Sequence, residues 1–306
     1  MTTGIIGTGS YLPEKVLTND DLSRMVDTSD EWISTRTGIK SRHISDEETT
    51  EYMAYMAGMR ALESAGVSAE DMDMIITATF TPHGMMPSIA CRVQKMLGNT
   101  SATCYDVNAA CSGFVYALAA AHAYIMSGMC EKILVIGAEN ISKFVDWSDR
   151  GTCVLFGDGA GAVVVSREDA GIQGIVTGSD GTKCEVLTCE EAIAMNGQEV
   201  FKFAVKKVPE CIEKLLNQTG HTTEDIDMYI LHQANERIIA SVAKRLGVGQ
   251  EKFPMNLQNC GNTSAASIPI LLDELNRQGK IAKNNKVILA GFGGGLTWGA
   301  IMLNWL

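Results

Sequence analysis

Apolar positions along this chain follow two rhythms. Short, nearly continuous apolar runs lie at 72–80 (MDMIITATF), 132–138 (KILVIGA), 162–166 (AVVVS), 226–233 (IDMYILHQ) and 286–291 (KVILAG). Runs this short and this rich in β-branched residues predict buried strands. Between them, apolar residues recur at helical spacing over 49–65, 87–98, 112–128, 199–217, 234–246 and 265–278. Strand alternating with helix predicts an α/β fold built on parallel sheet. No Pro/Gly/Ser-rich linker and no low-complexity stretch interrupts the pattern, which argues against two domains on a tether.

The pattern repeats. GVSAEDMDMIITAT (66–79) aligns with GHTTEDIDMYILHQ (220–233), VQKMLG (93–98) with VAKRLG (242–247), and KILVIGA (132–138) with KVILAGF (286–292). The offsets are 154, 149 and 154 residues, about half the chain. We read two similar α/β halves, 1–167 and 168–306, packed around one core. Sites in such arrangements fall at the seam, at strand carboxyl ends. At the 149-residue offset Cys111 in NAACSGF lies over Cys260 in LQNCGNT, two residues before Asn262. At the 154-residue offset His232 lies where the first half has Ala78. Unusual polar groups thus occupy related strand ends of the two halves.

Composition narrows the class. Of 306 residues, 46% are apolar and 20% charged, a balance that rules out disordered, collagen-like and coiled-coil chains. Lys plus Arg is 25 against 36 Asp plus Glu, a net charge of −11. That weighs against nucleic acid and against an anionic membrane surface, both of which need clustered cations. Nine cysteines, an odd number with no CxxC pair, predict no zinc ribbon and a reducing setting. The start, MTTGIIGTGSYLPEK, lacks the basic and apolar regions of a signal peptide, and no apolar run reaches the ~18 residues of a membrane span. A cytoplasmic protein is the expectation.

Three residues carry candidate chemistry. Cys111 falls between a strand-like run (102–110) and an apolar helical stretch from Ser112. At a helix N-terminus the dipole and free N–H groups favour a thiolate, and an N–H can hold an oxyanion. A buried inert cysteine, as expected of most of the other eight, is the plainer alternative. His232 in YILHQANER ends a strand before a helix, and a satisfied strand-end histidine is the plainer reading. Asn262 in NCGNTSAAS precedes a helix, where a capping turn would serve equally. The glycine-rich pieces at 4–9, 156–162 and 291–299 lack the strand–loop–helix context of a dinucleotide or phosphate loop. They suit close backbone approach instead. Arg237, Lys244 and Arg245 share one helix face, either a solvated surface or a seat for an acidic partner.

Taken together, VNAACSGF (107–114), LHQANER (231–237), CGNTSAAS (260–267) and FGGGLTWG (292–299) resemble the β-ketoacyl-acyl carrier protein synthase III family. The likeness runs essentially end to end and includes SDEWISTRTGIKSRHI (29–44) and DRGTCVLFGDGAGA (149–162). It implies a thiolase-like α/β fold, two pseudo-symmetric halves forming a layered αβαβα core. It implies a Cys-His-Asn triad at Cys111, His232 and Asn262, with an oxyanion hole from the N–H groups of Cys111 and Gly294. The third residue is similar neither to the His of elongating synthases nor to the Cys of thiolases, while plant-type polyketide synthases share it. The implied reaction loads a short acyl group from acyl-CoA onto Cys111 and condenses it with malonyl-acyl carrier protein, initiating type II fatty acid synthesis. CoA thioester is a substrate there, and no metal or redox cofactor is implied.

The resemblance further assigns Thr28, Trp32, Arg36, Arg150, Gly197, Phe201, Ala234 and Asn235 to the CoA and pantetheine contacts. Trp32 and Arg36, four apart, suit a stack around adenine. It assigns Lys202, Arg237, Lys244 and Arg245 to carrier-protein docking, Met86 to an acyl pocket completed by the partner subunit, and a homodimer to the assembly. Three departures stand out: a short 177–194 region, Gln198 where some members have Asn, and Leu296 where some have Phe. The competing readings are a related Cys-His-Asn condensing enzyme of a specialised pathway with a different primer, a cysteine hydrolase, and a silent paralogue that only binds carrier protein.

Overall fold

The computed structural model describes all 306 residues. Strands of the first half are β1 (Thr2–Tyr11), β2 (Val16–Thr18), β3 (Ser41–His43), β4 (Met74–Ala78), β5 (Thr103–Val107), β6 (Lys132–Glu139) and β7 (Gly159–Glu168). Those that follow are β8 (Ile172–Ser179), β9 (Leu187–Cys189), β10 (Ile193–Met195), β11 (Met228–Leu231), β12 (Lys286–Gly293) and β13 (Thr297–Asn304). The helices are α1 (Asn19–Leu22), α2 (Asp30–Thr37), α3 (Thr50–Ala65), α4 (Ile89–Leu97), α5 (Gly113–Met126), α6 (Gly197–Thr219), α7 (Glu236–Leu246), α8 (Leu257–Cys260) and α9 (Ser267–Arg277).

Local sequence explains most helix limits. Thr49, Ser88, Asn196 and Asn235 cap α3, α4, α6 and α7 with side-chain oxygens, and Gly66, Gly98, Gly220 and Gly247 close them in the left-handed conformation. The two helices α5 and α9 differ, for neither has a side-chain cap at its N-terminus. Both begin at the seam and are entered through 3-10 turns, Ala110–Ser112 and Ser264–Ala266, whose Ala110 and Ser264 carbonyls accept the N–H groups of Gly113 and Ser267.

Two sheets carry the repeat. One has the order β1-β7-β6-β4-β5 and the other β11-β12-β13-β8. Written from the opposite edge, β8-β13-β12-β11 matches β1-β7-β6-β4 strand for strand. Helices α5 and α9 lie between the sheets, where Phe114, Leu118, Ile268 and Leu272 join inward residues of both. Helices α3 and α4 cover the outer face of the first sheet, and α6 and α7 that of the second. The result is the five-layered αβαβα arrangement of a thiolase-like fold.

The parallel-sheet expectation needs correction. Only β4–β5, β4–β6 and β11–β12 are parallel, whereas β1–β7, β6–β7, β12–β13 and β13–β8 are antiparallel. The short connection Gly294–Leu296 between β12 and β13 allows nothing else, because a parallel return needs a long crossover. Strands β1 and β8 lay outside the expected set, their small and polar residues masking them.

Candidate active site

Cys111 does not sit on the predicted helix itself. Ala110 adopts φ +46°, which turns the chain into a short 3-10 segment, Ala110–Ser112, before α5 starts at Gly113. Ser112 Oγ donates to Thr297 Oγ1 at 2.6 Å, and Thr297 Oγ1 lies 3.0 Å from Ala109 O and 2.9 Å from Gly294 O. This hydroxyl pair ties the Cys111 turn of one half to the glycine loop of the other. Gly293 packs so closely that a Cβ there would stand 2.8 Å from the Cys111 nitrogen. The N–H groups of Cys111 and Gly294 find no acceptor among the turn and loop hydrogen bonds. They are free donors beside the thiol.

The thiol itself departs from expectation. Burial pushes Cys111 up to about 12, with the Ser264 hydroxyl lowering it and the Glu139 charge raising it further. A helix terminus stabilises charge by about 0.3–1 kcal/mol, up to ~2 in favourable geometry. That is too little to offset burial, which favours the thiol form of Cys111.

His232 follows β11, and its N–H donates to Ala290 O at 2.8 Å. Its ring packs edge-on against Phe292, centroids 5.1 Å apart. Burial pushes its pKa down to about 3, so the ring is neutral. Nδ1 lies 2.7 Å from Ser267 Oγ, which also accepts the Gln233 N–H at 3.3 Å. The serine hydrogen is therefore assigned to Nδ1, leaving the ring hydrogen on Nε2. Asn262 is held by its backbone to Leu155 O and Gly157 N, and its Oδ1 accepts the Ser264 N–H at 2.9 Å. That bond commits the oxygen and leaves the NH₂ as the free end.

Cys111, His232 and Asn262 line one cavity of about 230 Å³, which Trp32, Arg36, Gly197, Phe201, Ala234 and Asn235 also line. A second cavity of about 350 Å³ opens behind Cys111, lined by Phe80, Asn108, Cys189, Gly294 and Thr297 among others. Cys111 stands at the junction of the two. The short 177–194 region still folds into the β9–β10 hairpin, and Leu187, Cys189 and Ile193 wall the inner cavity.

Other expected residues fall less uniformly. The guanidinium of Arg36 lies 4.6 Å and that of Arg150 4.8 Å from the Trp32 ring centre, so both already stack on the indole. Arg150 is further held to Asp27 by a 2.8 Å bond to its carbonyl, and it lines neither cavity. A base stacking there has to displace one guanidinium. Thr28 also lines neither cavity, and its buried hydroxyl has no partner. Lys202 and Arg237 border the outer mouth, but Glu185 stands there too, and Lys202 pairs with Glu199 at 2.8 Å. Lys244 and Arg245 sit in the last turn of α7, with Arg245 beside Glu210 at 3.7 Å. Met86 is 84% exposed on the 80–88 loop and lines neither cavity of its own chain.

Sequence reading missed Ser267, Ser264, Thr297 and Glu139. The two serines lie inside the quoted CGNTSAAS motif, where a serine at the start of α9 signals a cap that α9 does not use. Nothing local marks Glu139, which reads as the end of an apolar strand.

Comparison with known proteins gives a consistent answer. Residues 105–181 match the family described as 3-Oxoacyl-[acyl-carrier-protein (ACP)] synthase III, and 216–305 match its C-terminal counterpart. The chain is 49% identical to a β-ketoacyl-[acyl-carrier-protein] synthase III of Clostridium acetobutylicum over 98% of both chains. It superposes on a 3-oxoacyl-[acyl-carrier-protein] synthase III from Aquifex aeolicus with TM-score 0.98 and 49% identity, covering 99% of this chain and 100% of that one. A Pseudomonas aeruginosa synthase III gives TM-score 0.97 at 39% identity, covering 100% and 98%. Two free N–H donors beside a buried cysteine, with a neutral histidine and an asparagine amide across one cavity, are the equipment of a thioester condensing enzyme, and the chain belongs to the β-ketoacyl-[acyl-carrier-protein] synthase III family.

Proposed function

We propose that this protein performs the decarboxylating condensation of a short acyl-CoA primer with malonyl-acyl carrier protein, giving 3-oxoacyl-acyl carrier protein, CoA and CO₂. The observation that carries this is the shared cavity of Cys111, His232 and Asn262 at the inner end of a tunnel from Trp32 and Arg36. Cys111 Sγ attacks the acyl-CoA carbonyl, and the N–H groups of Cys111 and Gly294 hold the oxyanion. Each such donor contributes roughly 10²–10³ in rate.

The second substrate meets the same geometry from the other side. His232 Nε2–H and the Asn262 NH₂ donate to the malonyl thioester oxygen. Loss of CO₂ leaves an enolate on that oxygen, so neutral donors suffice and no strong base is needed. The buried neutral state of His232 matches this role, since its hydrogen stays on the ring near pH 7. The enolate carbon then attacks the acyl-Cys111 thioester.

Trp32, Arg36 and Arg150 would receive the adenine end of CoA after one guanidinium moves off the indole. Gly197, Phe201, Ala234 and Asn235 would line the pantetheine path. Lys202 and Arg237 at the mouth, with Lys244 and Arg245 farther along α7, would meet an acidic carrier protein. A homodimer would cover the free edge of β5, the last strand of the first sheet. Met86 of one chain would then complete the inner cavity of the other. These assignments rest on the family likeness together with the positions above, as does a cytoplasmic setting. No helix is long and apolar enough to cross a membrane.

The direct test is incubation with acetyl-CoA and longer or branched acyl-CoAs, followed by intact mass and peptide mapping. The expected result is an acyl adduct on Cys111 that discharges to 3-oxoacyl product when malonyl-acyl carrier protein is added. Folded, reduced protein that takes no adduct from any acyl-CoA overturns the reading.

A further inference from the structure

Acylation raises a question the triad does not answer. The Cys111 thiol must lose its proton, yet His232 has its Nδ1 committed to Ser267 and burial opposes its charged form. Behind the nucleophile lie two fully buried polar atoms without a hydrogen-bond partner: Ser264 Oγ and Glu139 Oε1. Glu139 ends β6 at 0% exposure. Its other oxygen is saturated, receiving Thr81 Oγ1 at 2.6 Å, Thr79 Oγ1 at 3.1 Å, and the N–H groups of Phe80 and Thr81, both at 3.2 Å. Those four donors aim Oε1 away from them and fix the carboxyl plane.

Ser264 is equally constrained. Its φ of +49° is a left-handed conformation that costs a non-glycine residue roughly 1–2 kcal/mol. The bond from its N–H to Asn262 Oδ1 holds it there. The turn packs directly on β6, because Gly137, two residues before Glu139, leaves no room for a Cβ against the Ala265 carbonyl. The turn carrying Ser264 packs against both the Ala110–Ser112 segment and β6, which sets its unbonded hydroxyl between the Cys111 turn and the strand end that carries Glu139. An unpaired buried carboxylate oxygen is costly unless something uses it.

We propose that Glu139, acting through Ser264, stores the Cys111 proton during each catalytic cycle. As the Sγ–acyl bond forms, the thiol proton passes to Ser264 Oγ while the Ser264 proton passes to Glu139 Oε1. The CoA sulfur leaves with its bonding pair and takes a proton from solvent at the tunnel mouth. After decarboxylation and enolate attack, Cys111 Sγ leaves with its own bonding pair. The stored proton then returns along the same path. The net cycle consumes one solvent proton, as the overall condensation requires. The acyl-enzyme thus holds a neutral acid, not a carboxylate, behind the thioester when the enolate forms, which removes a like-charge repulsion.

The surroundings suit such a group. Burial raises Glu139 to about 7, with Thr81, Phe80, Thr79 and Ser264 as the lowering donors. The titratable groups facing it are Cys111 on the nucleophile turn and Cys189 on β9, and its charge raises both. Thr79 and Thr81 beyond β4 hold its other oxygen, and no ion pair forms with it.

The inference rests on Cys111 being the acylated nucleophile, and the test separates the two. Acylation of wild type, Glu139→Gln and Ser264→Ala by acetyl-CoA is followed by intact mass across pH, with circular dichroism to confirm folding. Wild type should show a titration near pH 7 in its acylation rate, and both variants should lose it, with a rate at pH 7 down by about 10²-fold. Infrared difference spectra of wild type alone provide a second reading, because acylation should raise a protonated-carboxyl band. That band should be absent from folded Glu139→Gln. An adduct forming with the same pH profile in all three proteins, or wild-type acylation without the band, overturns the proton store. Wild type that takes no adduct at any pH overturns the functional reading beneath it.

Discussion

Substitution of Gly293 by alanine is the sharpest test of how the two halves build one site. The added Cβ would stand 2.8 Å from the Cys111 nitrogen and 2.9 Å from its Cβ, against ordinary contacts of 3.4 Å and longer. The glycine strand and the nucleophile turn must therefore separate by about 0.5–0.6 Å. Neither can move freely, because Ser112 and Thr297 clamp the turn to the Gly294 loop. Overpacking of this kind costs about 1–3 kcal/mol of stability. The kinetic cost should be larger than the stability loss suggests. The Cys111 and Gly294 N–H groups proposed to hold the oxyanion flank the displaced contact, and a 1 Å misplacement can cost about 10²-fold. We expect Gly293→Ala to slow Cys111 acylation by about 10–10²-fold while the protein still folds. Gly291→Ala, with its nearest contact at 3.0 Å to Ser112 Cα, should be milder, and Gly181→Ala, which meets nothing within 4 Å, should be neutral. Single-turnover acylation followed by intact mass, alongside denaturant unfolding, measures both quantities. Wild-type acylation rate and stability in Gly293→Ala would refute the geometry.

Three other outcomes follow from the site. Ser267→Ala removes the partner of His232 Nδ1 and leaves a buried ring nitrogen unpaired, at about 1–3 kcal/mol; malonyl decarboxylation should fall more than Cys111 acylation in stopped-flow assays of the two half-reactions. Arg237→Glu should raise KM for malonyl-acyl carrier protein while sparing acyl-CoA priming, and equal loss in both steps would refute a docking role. Stability should depend on pH from both sides. His232 is depressed from 6.5 to about 3, so stability present above pH 6.5 is lost as pH falls toward 3. Glu139 is raised from 4.5 to about 7, so its contribution is complete below pH 4.5 and is lost as pH rises through 7. Denaturant midpoints of His232→Gln should flatten the acid side, and those of Glu139→Gln the neutral side.

Much of the architecture was legible because the chain repeats itself. Matching segments 154 residues apart announced two similar halves, and β4 with β11 and β6 with β12 occupy the same places in their sheets. The caps and closing glycines of α3, α4, α6 and α7 were equally local, and they set those helix limits within two residues of the expected ones. The antiparallel strands were harder to see. β1, with Gly at 4, 7 and 9, has the composition of a loop, yet Gly7 and Gly9 let α3 lie against it.

What the sequence determined by itself was identity of residue and order along the chain: which side chains could do thioester chemistry, and that they fall at related strand ends. Proximity was decided only in three dimensions. Asn262 Oδ1 is committed because the chain curls back to Ser264, which frees the amide hydrogens for the cavity. The Cys111 thiol is pushed up because five layers bury it more strongly than one helix terminus can offset. Glu139 ends an ordinary apolar strand in the sequence, and only the packing of a turn from the other half beside it makes a titrating group there. Protonation states belong to the environment that burial creates, and contacts between residues 125 positions apart leave no local signal in either segment.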